Sequence, residues 1–440
     1  MPDCSVAALE QAYKALDWLQ PLEPSDPRLF RDLIDPFISQ LARELVLLKA
    51  QGRKMLVHGH VGCGKSTLLN CLEVYQDFGR HFLVAPVFIK DVVDPEDIEA
   101  VDIFFAAMTE GLQKAVDAGI PLEPDSLKEA VELYKELKGL VSVEATREEG
   151  RGGDAKVEAG ISVPSILQWL RAGFQANYRV SFENRRKVRE AFKPRMGQLI
   201  ERINATLSAI EARLGDDRRL LFLVHDTDKP RIDRAIDLFE AQGYQLAQLQ
   251  AMAVFVLDKA VACSGRFAAI TTRLRAGRPF PAFKLTEAKG EVSETCRRYQ
   301  ELLTTLLAKR LPLECAESDA FKTVVELGGG HFRETLRIAR EAVFKALVRE
   351  SPRVARTDVD YAAIQRANEF SPTQQQWEIL AAVLKDPYWC PPDAMEAYDS
   401  PESPVLQLLN GVALMEYTNA EEKWLRPHPV LIERIRRRQK

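Results

Sequence analysis

The sequence predicts an α/β protein whose core has three layers, with a parallel sheet between layers of helices. Short apolar runs occur at 55–58, 82–89 and 220–224, and each has the length of one buried strand. Segments of helical spacing separate them, such as 188–214, where apolar residues recur every three or four positions. This alternation of strands and helices is typical of parallel sheets.

The composition is that of a soluble globular chain of about three domains. The chain has 440 residues, and 60 Lys and Arg against 64 Asp and Glu give a formal net charge of −4. Hydrophobic residues make up 46% and charged residues 28%, which excludes a wholly disordered chain, a collagen-like fibre and a polytopic membrane protein. The near-neutral balance argues against a protein coated in basic charge for wrapping nucleic acid, but it leaves room for a local basic patch.

Cysteine usage and targeting signals favour a cytoplasmic location. The seven cysteines are scattered and never form a C-x-x-C pair, so neither a disulfide framework nor a zinc knuckle fits. The first residues include acidic side chains and lack the apolar core of a signal peptide. No run of about 18 apolar residues occurs, so we expect no membrane-spanning helix.

A glycine-rich loop after the first apolar run carries the strongest chemical signal. Residues 59–66 fit G-x-x-x-x-G-K-[ST], with a strand before them and a helix after them, which disfavours a chance glycine turn. Backbone N–H groups of such a loop close around phosphates, and the helix N-terminus adds positive potential. We expect Lys65 to reach the β- and γ-phosphates and the Ser66 hydroxyl to ligate Mg²⁺. The predicted nucleotide-binding residues of the loop are Gly59, His60, Val61, Gly62, Cys63, Gly64, Lys65, Ser66 and Thr67.

Acidic residues after the apolar run at 219–224 are expected to complete a metal site. The segment 219–229 resembles the Walker B strand of AAA+ and STAND-type NTPases, with His225 in the place of the first Asp and Asp226 and Asp228 in the other two places. If His225 takes the metal position, Mg²⁺ binding and hydrolysis are expected to be weak, because imidazole is a poor ligand for a hard cation. If Asp226 takes it, Asp228 is available to polarise the attacking water. The remaining alternative is an ordinary strand end with solvated acids.

Two segments resemble the sensor 1 and arginine-finger positions of AAA+ proteins. Residues 267–272 resemble the sensor 1 strand, which implies that Thr271 or Thr272 faces the γ-phosphate; ordinary β-branched strand residues are the alternative. Arg278 lies in the basic loop that follows. The resemblance implies an arginine finger aimed at a neighbouring subunit's nucleotide, and a charged surface loop is the alternative.

Two further matches lie nearer the C-terminus. The segment 326–336 resembles the sensor 2 motif of the AAA+ lid, in which Arg333 returns to the phosphates; an Arg–Glu pair on a solvated helix is the alternative. The segment 424–431 resembles the winged-helix histidine motif of STAND proteins, which implies that His428 contacts ADP. Pro429 stands where that motif usually has Asp, and a histidine at the end of a wing strand is the alternative.

These matches predict four regions along the chain. They are a helical N-terminal segment (1–52), a P-loop core of AAA+ type (53–286) with a helical insertion (122–215), a helical lid (287–350) and a winged-helix domain (351–440). The insertion includes a stretch of flexible-linker composition at 144–154. We expect the insertion to bind a partner or a second copy, or simply to pack against its own domain.

The resemblance to AAA+/STAND NTPases, near their ORC/Cdc6-like branch, implies an ATPase that uses ATP and Mg²⁺ as a molecular switch. It also implies self-association and control of a separate effector protein, in phage defence or in the handling of mobile DNA. One alternative is a DNA-binding initiator or transposition regulator that binds duplex DNA through the winged helix and the basic tail at 434–440. A second alternative is a nucleotide-binding scaffold that scarcely hydrolyses ATP.

Overall fold

A computed structural model describes residues 4–122, 127–140, 163–171, 176–215, 217–280, 282–391, 400–419 and 422–439. Two helices precede the core, α1 (Val6–Ala15) and α2 (Arg31–Leu48). α1 begins after Ser5, whose hydroxyl accepts a hydrogen bond from the backbone N–H of Ala8 at 3.1 Å, a favoured cap for a helix start.

The core contains a five-stranded parallel sheet, as predicted. Its strands are β1 (Lys54–Gly59), β2 (Phe82–Phe88), β3 (Arg219–His225), β4 (Met252–Asp258) and β5 (Arg275–Ala276), in the order β2-β3-β4-β1-β5. Every residue of β1 and β4 is buried, so both faces of the sheet are covered and the core has three layers. The carboxyl ends of parallel strands meet at one edge, where Gly59 of β1 pairs in register with Asp258 of β4.

Helices of the core and its insertion connect these strands. In chain order they are α3 (Lys65–Glu73), α4 (Phe78–His81), α5 (Ala100–Asp117), α6 (Lys128–Leu140), α7 (Val163–Gln168), α8 (Ala176–Val180), α9 (Phe182–Phe192), α10 (Met196–Glu211), α11 (Ile232–Ile236), α12 (Gly243–Ala247), α13 (Lys259–Cys263) and α14 (Phe267–Arg273).

The insertion is helical where it is described, and it packs against its own domain. α10 contacts α5, α6 and β3. The buried guanidinium of Arg189 in α9 donates to the carboxylates of Asp97 and Asp102, at 2.8 and 2.6 Å. These contacts favour the expectation that the insertion packs against its own domain over the expectation that it binds a partner or a second copy. The linker-like stretch at 144–154 lies outside the described residues.

One predicted strand is wrong, and two strands of the sheet, β4 and the two-residue β5, were not predicted. Residues 267–272 belong to the helix α14, in which only Ile270 is buried. A central strand needs burial on both faces, whereas Ala268 and Ala269 are exposed and have high helix propensity. The strand that lies between β1 and β3 is β4, which begins about fifteen residues earlier, at Met252.

Three helices lie in the region predicted to be the lid. They are α15 (Glu294–Ala308), α16 (Ser318–Leu327) and α17 (Phe332–Val348). α1 packs against α17, where the Arg340 guanidinium lies 4.2 Å from the centre of the Tyr13 ring. The first helix is therefore attached to the lid region, a contact that the sequence did not indicate.

The C-terminal region contains helices followed by a hairpin, the order expected of a winged helix. Its elements are α18 (Arg356–Glu369), α19 (Gln374–Lys385), α20 (Pro404–Asn410), β6 (Leu414–Thr418), β7 (Lys423–Pro427) and α21 (Ile432–Arg438). β6 and β7 are antiparallel, and the stacked rings of Tyr417 and Trp424 join them. Within the part of the chain that the structure describes, no helix has the length and apolar character needed to cross a membrane.

Candidate nucleotide-binding site

A cavity of about 380 Å³ lies where the core, the lid region and the N-terminal segment meet. A polar part of its wall comes mainly from the glycine-rich loop, the end of β3 and the first turn of α17: Gly62, Gly64, Lys65, Ser66, Thr67, Lys90, Asp226, Asp228, Lys229 and Arg333. A mostly apolar part comes from the N-terminal segment and the lid helices, and it includes Leu22, Leu29, Phe30, Leu33, Ile34, Leu306 and Leu336. Apolar walls with a few convergent polar groups are typical of small-molecule sites.

The glycine-rich loop turns between β1 and α3 by means of glycines with positive φ. Gly62 has φ 85° and Gly64 has φ 106°, a region that other residues rarely adopt. A side chain at Gly62 would also collide with Arg333, because its Cβ atom would lie 2.4 Å from the Arg333 Nε. The loop thus delivers the N-terminus of α3 to the cavity, and a helix N-terminus favours anions.

Lys65 begins α3 and is almost completely buried. Its ammonium lies 2.8 Å from Oδ2 of Asp228, and it donates to the backbone carbonyls of Gly59 and His60 at 2.7 and 2.9 Å. Burial lowers the pKa of Lys65, but the Asp228 carboxylate together with the nearby Cys63 and Asp258 outweighs burial, and the pKa ends above its usual value. A charged ammonium therefore lies at the cavity, within the loop predicted to bind phosphates.

The two residues after Lys65 also line the cavity. Ser66 does so at the start of α3. The Thr67 hydroxyl accepts a hydrogen bond from the backbone N–H of Leu22 at 3.1 Å, so it fastens the N-terminal segment to the loop. Leu29 and Phe30, further along the N-terminal segment, also lie in the cavity wall.

Asp226 and Asp228 line the cavity at the end of β3. Asp226 has φ 66°, a strained conformation for a residue other than glycine, and burial raises its pKa. Oδ2 of Asp226 and Oδ1 of Asp228 are buried and have no hydrogen-bond partner among the described residues. Carboxylate oxygens with free lone pairs beside a cavity are acceptors for a cation or a water molecule.

His225 precedes these acids but belongs to the packing of the sheet. Its ring stacks on Phe88 of β2, with the ring centres 4.5 Å apart. Burial lowers the pKa of His225 to about 4, so the ring is neutral at neutral pH. The cavity wall is formed by Asp226 and Asp228 rather than by this imidazole.

Asp258, at the end of β4, is a buried acid near the loop that sequence reasoning missed. Its Oδ1 accepts hydrogen bonds from the backbone N–H of Ala260 and from the side chain of Asn410 in α20, at 2.8 and 3.3 Å. Burial raises the pKa of Asp258, and the nearby Lys65 charge partly opposes that rise. An acid directly after six apolar residues, 252–257, was the signal that could have revealed it.

The first turn of α17 contacts the loop through two residues. His331 is fully buried; its Nδ1 accepts from the N–H of Glu334 at 3.3 Å, and its Nε2 donates to the carbonyl of Val61 at 3.0 Å. The backbone N–H of Arg333 donates to the carbonyl of Gly62 at 3.3 Å. The Arg333 side chain lines the cavity, and its Nε has no partner among the described residues, so the guanidinium is available to an anion.

The hairpin of the C-terminal region also contacts the loop. Nε2 of His60 accepts a hydrogen bond from the backbone N–H of Glu416 in β6, at 3.0 Å. The Glu416 carboxylate forms a buried ion pair with Lys259, the first residue of α13. The loop is therefore in contact with the core, the lid helices and the hairpin at once.

Other predicted site residues lie elsewhere in the molecule. Thr272 is exposed, and its hydroxyl donates to the Ala268 carbonyl of its own helix at 2.9 Å, so its expected place at the tip of a central strand is wrong. Arg278 is exposed in the segment that follows the edge strand β5. His428 is buried 3.1 Å from the Glu334 carboxylate, behind the first turn of α17. Cys63, by contrast, lies in the glycine-rich loop itself; it is buried, and burial raises the pKa of its thiol, which favours a small packing residue over a reactive one.

Three comparisons with known proteins place the chain in context. No family model matches it, and no curated protein does. Cdc6p from Pyrobaculum aerophilum is similar at 12% identity and TM-score 0.39, with 97% of this chain and 98% of that chain covered. The ORC2 protein of Aeropyrum pernix, solved as ADPNP–ADP complexes, has 12% identity and TM-score 0.39, with 96% of each chain covered. A RuvB mutant of Thermotoga maritima has 11% identity and TM-score 0.34, with 89% of this chain and 91% of that chain covered.

These structures belong to the group that the sequence motifs resemble. At such low identities and TM-scores, neither an activity nor a residue role passes from them to this chain.

Proposed function

We propose that this protein is an ATP-binding molecular switch with slow hydrolysis. The observation that carries the proposal is the convergence of three separate parts of the chain on one cavity: the glycine-rich loop with Lys65, the end of β3 with Asp226 and Asp228, and the start of α17 with Arg333. The positive charges of Lys65 and Arg333 and the N-terminus of α3 favour a polyphosphate at the polar wall. The apolar wall suits the nucleoside.

The cation site fits Mg²⁺ bound together with a nucleotide. Ser66 supplies a hydroxyl at the cavity, and Asp226 supplies a carboxylate oxygen with no other partner among the described residues. Oxygen ligands of this kind suit Mg²⁺, which keeps several waters and shares the phosphate oxygens. The ion would draw charge from the γ-phosphate, and Asp228 lies close enough to Lys65 to act on the same region.

Slow turnover follows from the residues at the end of β3. His225 is neutral and packed against Phe88, so it offers no negative charge to the metal. Thr227 follows Asp226 and Lys229 follows Asp228, so neither acid has a glutamate directly after it, and the general base usual in the AAA+ group is missing from this place. In this proposal the site holds ATP for long periods and reports its presence.

In this proposal the switch acts through contacts between the glycine-rich loop and two elements outside the core, the helix α17 and the C-terminal hairpin. His331 joins the lid helix α17 to Val61, and His60 joins the hairpin to the loop. The backbone of Arg333 is hydrogen-bonded to the loop, and its side chain lines the cavity. Phosphates that bind this side chain therefore shift the conformational equilibrium of α17. In this proposal the movement of α17 on phosphate binding is what controls the partner protein.

Replacement of Lys65 by Ala tests the proposal. We expect Lys65→Ala to abolish ATP binding in equilibrium dialysis, whereas Lys135→Ala, on the exposed face of α6, keeps it. ATP binding that survives the Lys65 change would overturn the proposal. The Mg²⁺ role is tested by Asp226→Asn, which should remove hydrolysis and leave Mg²⁺-free ATP binding within about threefold of the wild type.

Self-association with Arg278 as an arginine finger is the second part of the proposal. Arg278 is exposed at the edge of the sheet, where a neighbouring subunit has access. If it acts in trans, the ATPase rate per subunit rises with protein concentration, and Arg278→Ala removes that rise without changing ATP affinity. Arg80→Ala, on the exposed α4, serves as the control.

The finer biological role rests on the sequence resemblance. That resemblance implies a separate effector protein downstream of the switch, in phage defence or the handling of mobile DNA, and we propose this role for the chain. Identification of neighbouring genes tests this, since a switch and its effector are expected to be encoded together.

Binding of duplex DNA is a second candidate function, favoured by one observation. Arg436, Arg437 and Arg438 are exposed on α21, next to the hairpin region. Arg437 pairs with Glu433, and Arg438 lies over the Trp377 ring, so phosphates would have to compete for two of the three. Affinity that falls steeply with salt and is lost in Arg436→Ala would support DNA binding. A lack of binding at low salt would exclude it.

A further inference from the structure

A second arginine besides Arg333, Arg310, borders the same cavity but belongs to its apolar part. It follows α15 and is 6% exposed. Its Nη1 donates to the Leu306 carbonyl at 2.9 Å, and its Nε has no hydrogen-bond partner among the described residues. Leu29, Phe30 and Leu306 belong to the same part of the cavity wall. A charged group with an unused donor thus lies in the mostly apolar part of the cavity.

No carboxylate of the described residues forms an ion pair with Arg310 within 4.0 Å. The charges that act on it are those of Arg28 and Asp26. Asp26 is already bound by Arg28, whose Nε and Nη2 donate to its two oxygens at 3.0 and 2.7 Å. Burial, with Arg28 nearby, lowers the pKa of Arg310 to about 10. A buried guanidinium without a counter-ion destabilises the ligand-free protein, so packing alone does not account for it.

The phosphate-binding groups lie in the other part of the cavity wall. Lys65 belongs to the loop and Arg333 to α17. Among the charged groups near each of them, the Asp228 carboxylate has the largest effect on the pKa, which it raises. Arg310 instead belongs to the group formed by Leu306 and the N-terminal segment. The ligand atoms that reach it are those at the opposite end of a nucleotide from its phosphates.

We propose that Arg310 is a nucleoside-binding residue, which donates a hydrogen bond to an acceptor atom of the base ring or of the ribose. This inference rests on the proposed function, since it concerns the same ligand. A guanidinium only donates, so its partner is a ring nitrogen or a sugar oxygen and not an amino group. Hydrogen bonds to charged groups are the stronger ones, which makes the contact a large part of nucleoside affinity.

Binding of ATP and of inorganic tripolyphosphate to Arg310→Met tests the inference. Methionine keeps most of the apolar stem and removes the donors. We expect ATP affinity to fall by about tenfold or more, and tripolyphosphate affinity to stay within about twofold. An equal loss for both ligands would make Arg310 a phosphate contact and overturn the inference, as would an unchanged ATP affinity. Arg353→Met, which alters an exposed arginine after α17, should change neither affinity.

The thermal stability of the ligand-free variant separates ligand binding from a structural role. Because the unpaired charge is removed, we expect Arg310→Met to melt no lower than the wild type. A lower melting temperature together with unchanged ATP affinity would assign Arg310 to capping of α15 and overturn the inference.

Analogues of ATP identify the acceptor atom. In the 7-deaza, 3-deaza, 1-deaza, 2′-deoxy, 3′-deoxy and carbocyclic forms, one acceptor of the base ring or of the ribose is missing at a time. The analogue that lacks the partner of Arg310 should bind the wild type more weakly and should bind Arg310→Met with no further loss. If every analogue still shows the full loss on Arg310→Met, the inference fails.

Failure of the proposed function has a different signature. In that case the wild type binds neither ATP nor tripolyphosphate, and Lys65→Ala changes nothing. If Lys65→Ala weakens both ligands while Arg310→Met weakens neither, the proposed function stands and only the role of Arg310 is refuted.

Discussion

Lys65 and Asp228 form an ion pair that is almost fully enclosed, with the ammonium nitrogen 2.8 Å from Oδ2 and side-chain exposures of 2% and 3%. The cation that is expected to bind phosphates is therefore held by an acid that follows β3, a strand separated from β1 by β4. A polyphosphate at the cavity would compete with Asp228 for the same ammonium. Ligand binding is thereby coupled to the conformation at the end of β3.

Asp228→Asn should separate these two roles of the carboxylate. Breaking a buried pair leaves Lys65 uncompensated, so we expect the ligand-free protein to lose about 3 kcal/mol of unfolding free energy. ATP supplies new negative charge, so it should raise the melting temperature more in the variant than in the wild type. Thermal unfolding with and without ATP measures both effects.

A control for that variant is Asp233→Asn, which breaks the exposed pair with Arg231. It should cost less than about 1 kcal/mol and leave the ATP effect unchanged. If ATP raises the melting temperature of Asp228→Asn by no more than that of the wild type, the competition for Lys65 is refuted.

Gly62→Ala should displace Arg333 from the loop. Its Cβ would lie 2.4 Å from the Arg333 Nε, and φ is 85°. We expect at least tenfold weaker ATP binding by titration calorimetry, since one charged contact to the phosphates is misplaced. Gly119→Ala is the matched control, because φ is 67° there and no atom lies within 4 Å of the added Cβ. Equal effects on ATP affinity in both variants would trace the loss to backbone strain alone.

His60→Leu should uncouple the hairpin from the loop. It leaves the buried N–H of Glu416 without its acceptor, at a cost of about 1–3 kcal/mol. We expect faster hydrogen exchange in β6 and unchanged exchange in α5, measured by mass spectrometry. His81→Leu, at a partly exposed position in α4, provides the comparison. Unaltered exchange in β6 would show that the hairpin does not depend on this contact.

Acid should destabilise the protein through its buried neutral histidines. Burial lowers the pKa of His225 and of His331 to about 4. In the unfolded chain these rings take up protons near pH 6.5, so their contribution is complete above about pH 6.5 and is lost as the pH falls towards 4. Each ring steepens the loss by up to about 1.4 kcal/mol per pH unit.

His225→Asn therefore should flatten the decline in unfolding free energy between pH 6.5 and 4, measured by urea titration at each pH. A wild-type slope in the His225 variant would mean that this ring becomes protonated in the folded protein without penalty.

The sequence located the parts of the site whose chemistry is contiguous in the chain. The loop at 59–66, the acids after β3 and the motif that contains Arg333 are short patterns, each set by neighbouring residues, and each contributes residues to the cavity wall. Helical spacing likewise marked the segment 188–214 of the insertion. Those features depend on local backbone preference and local burial, which a sequence displays directly.

Sequence patterns gave no access to relations between distant segments. The run 267–272 has the pattern of a strand but forms the helix α14. The position between β1 and β3 in the sheet is filled by β4, and Ile270 is the buried residue of α14. The tertiary structure alone decided that Asp258 ends beside Gly59 and that an arginine after α15 borders the cavity. It also decided that a hairpin more than 300 residues away donates a backbone hydrogen bond to the His60 ring. Sheet order and burial are set by the packing of the whole chain, so no local pattern encodes them.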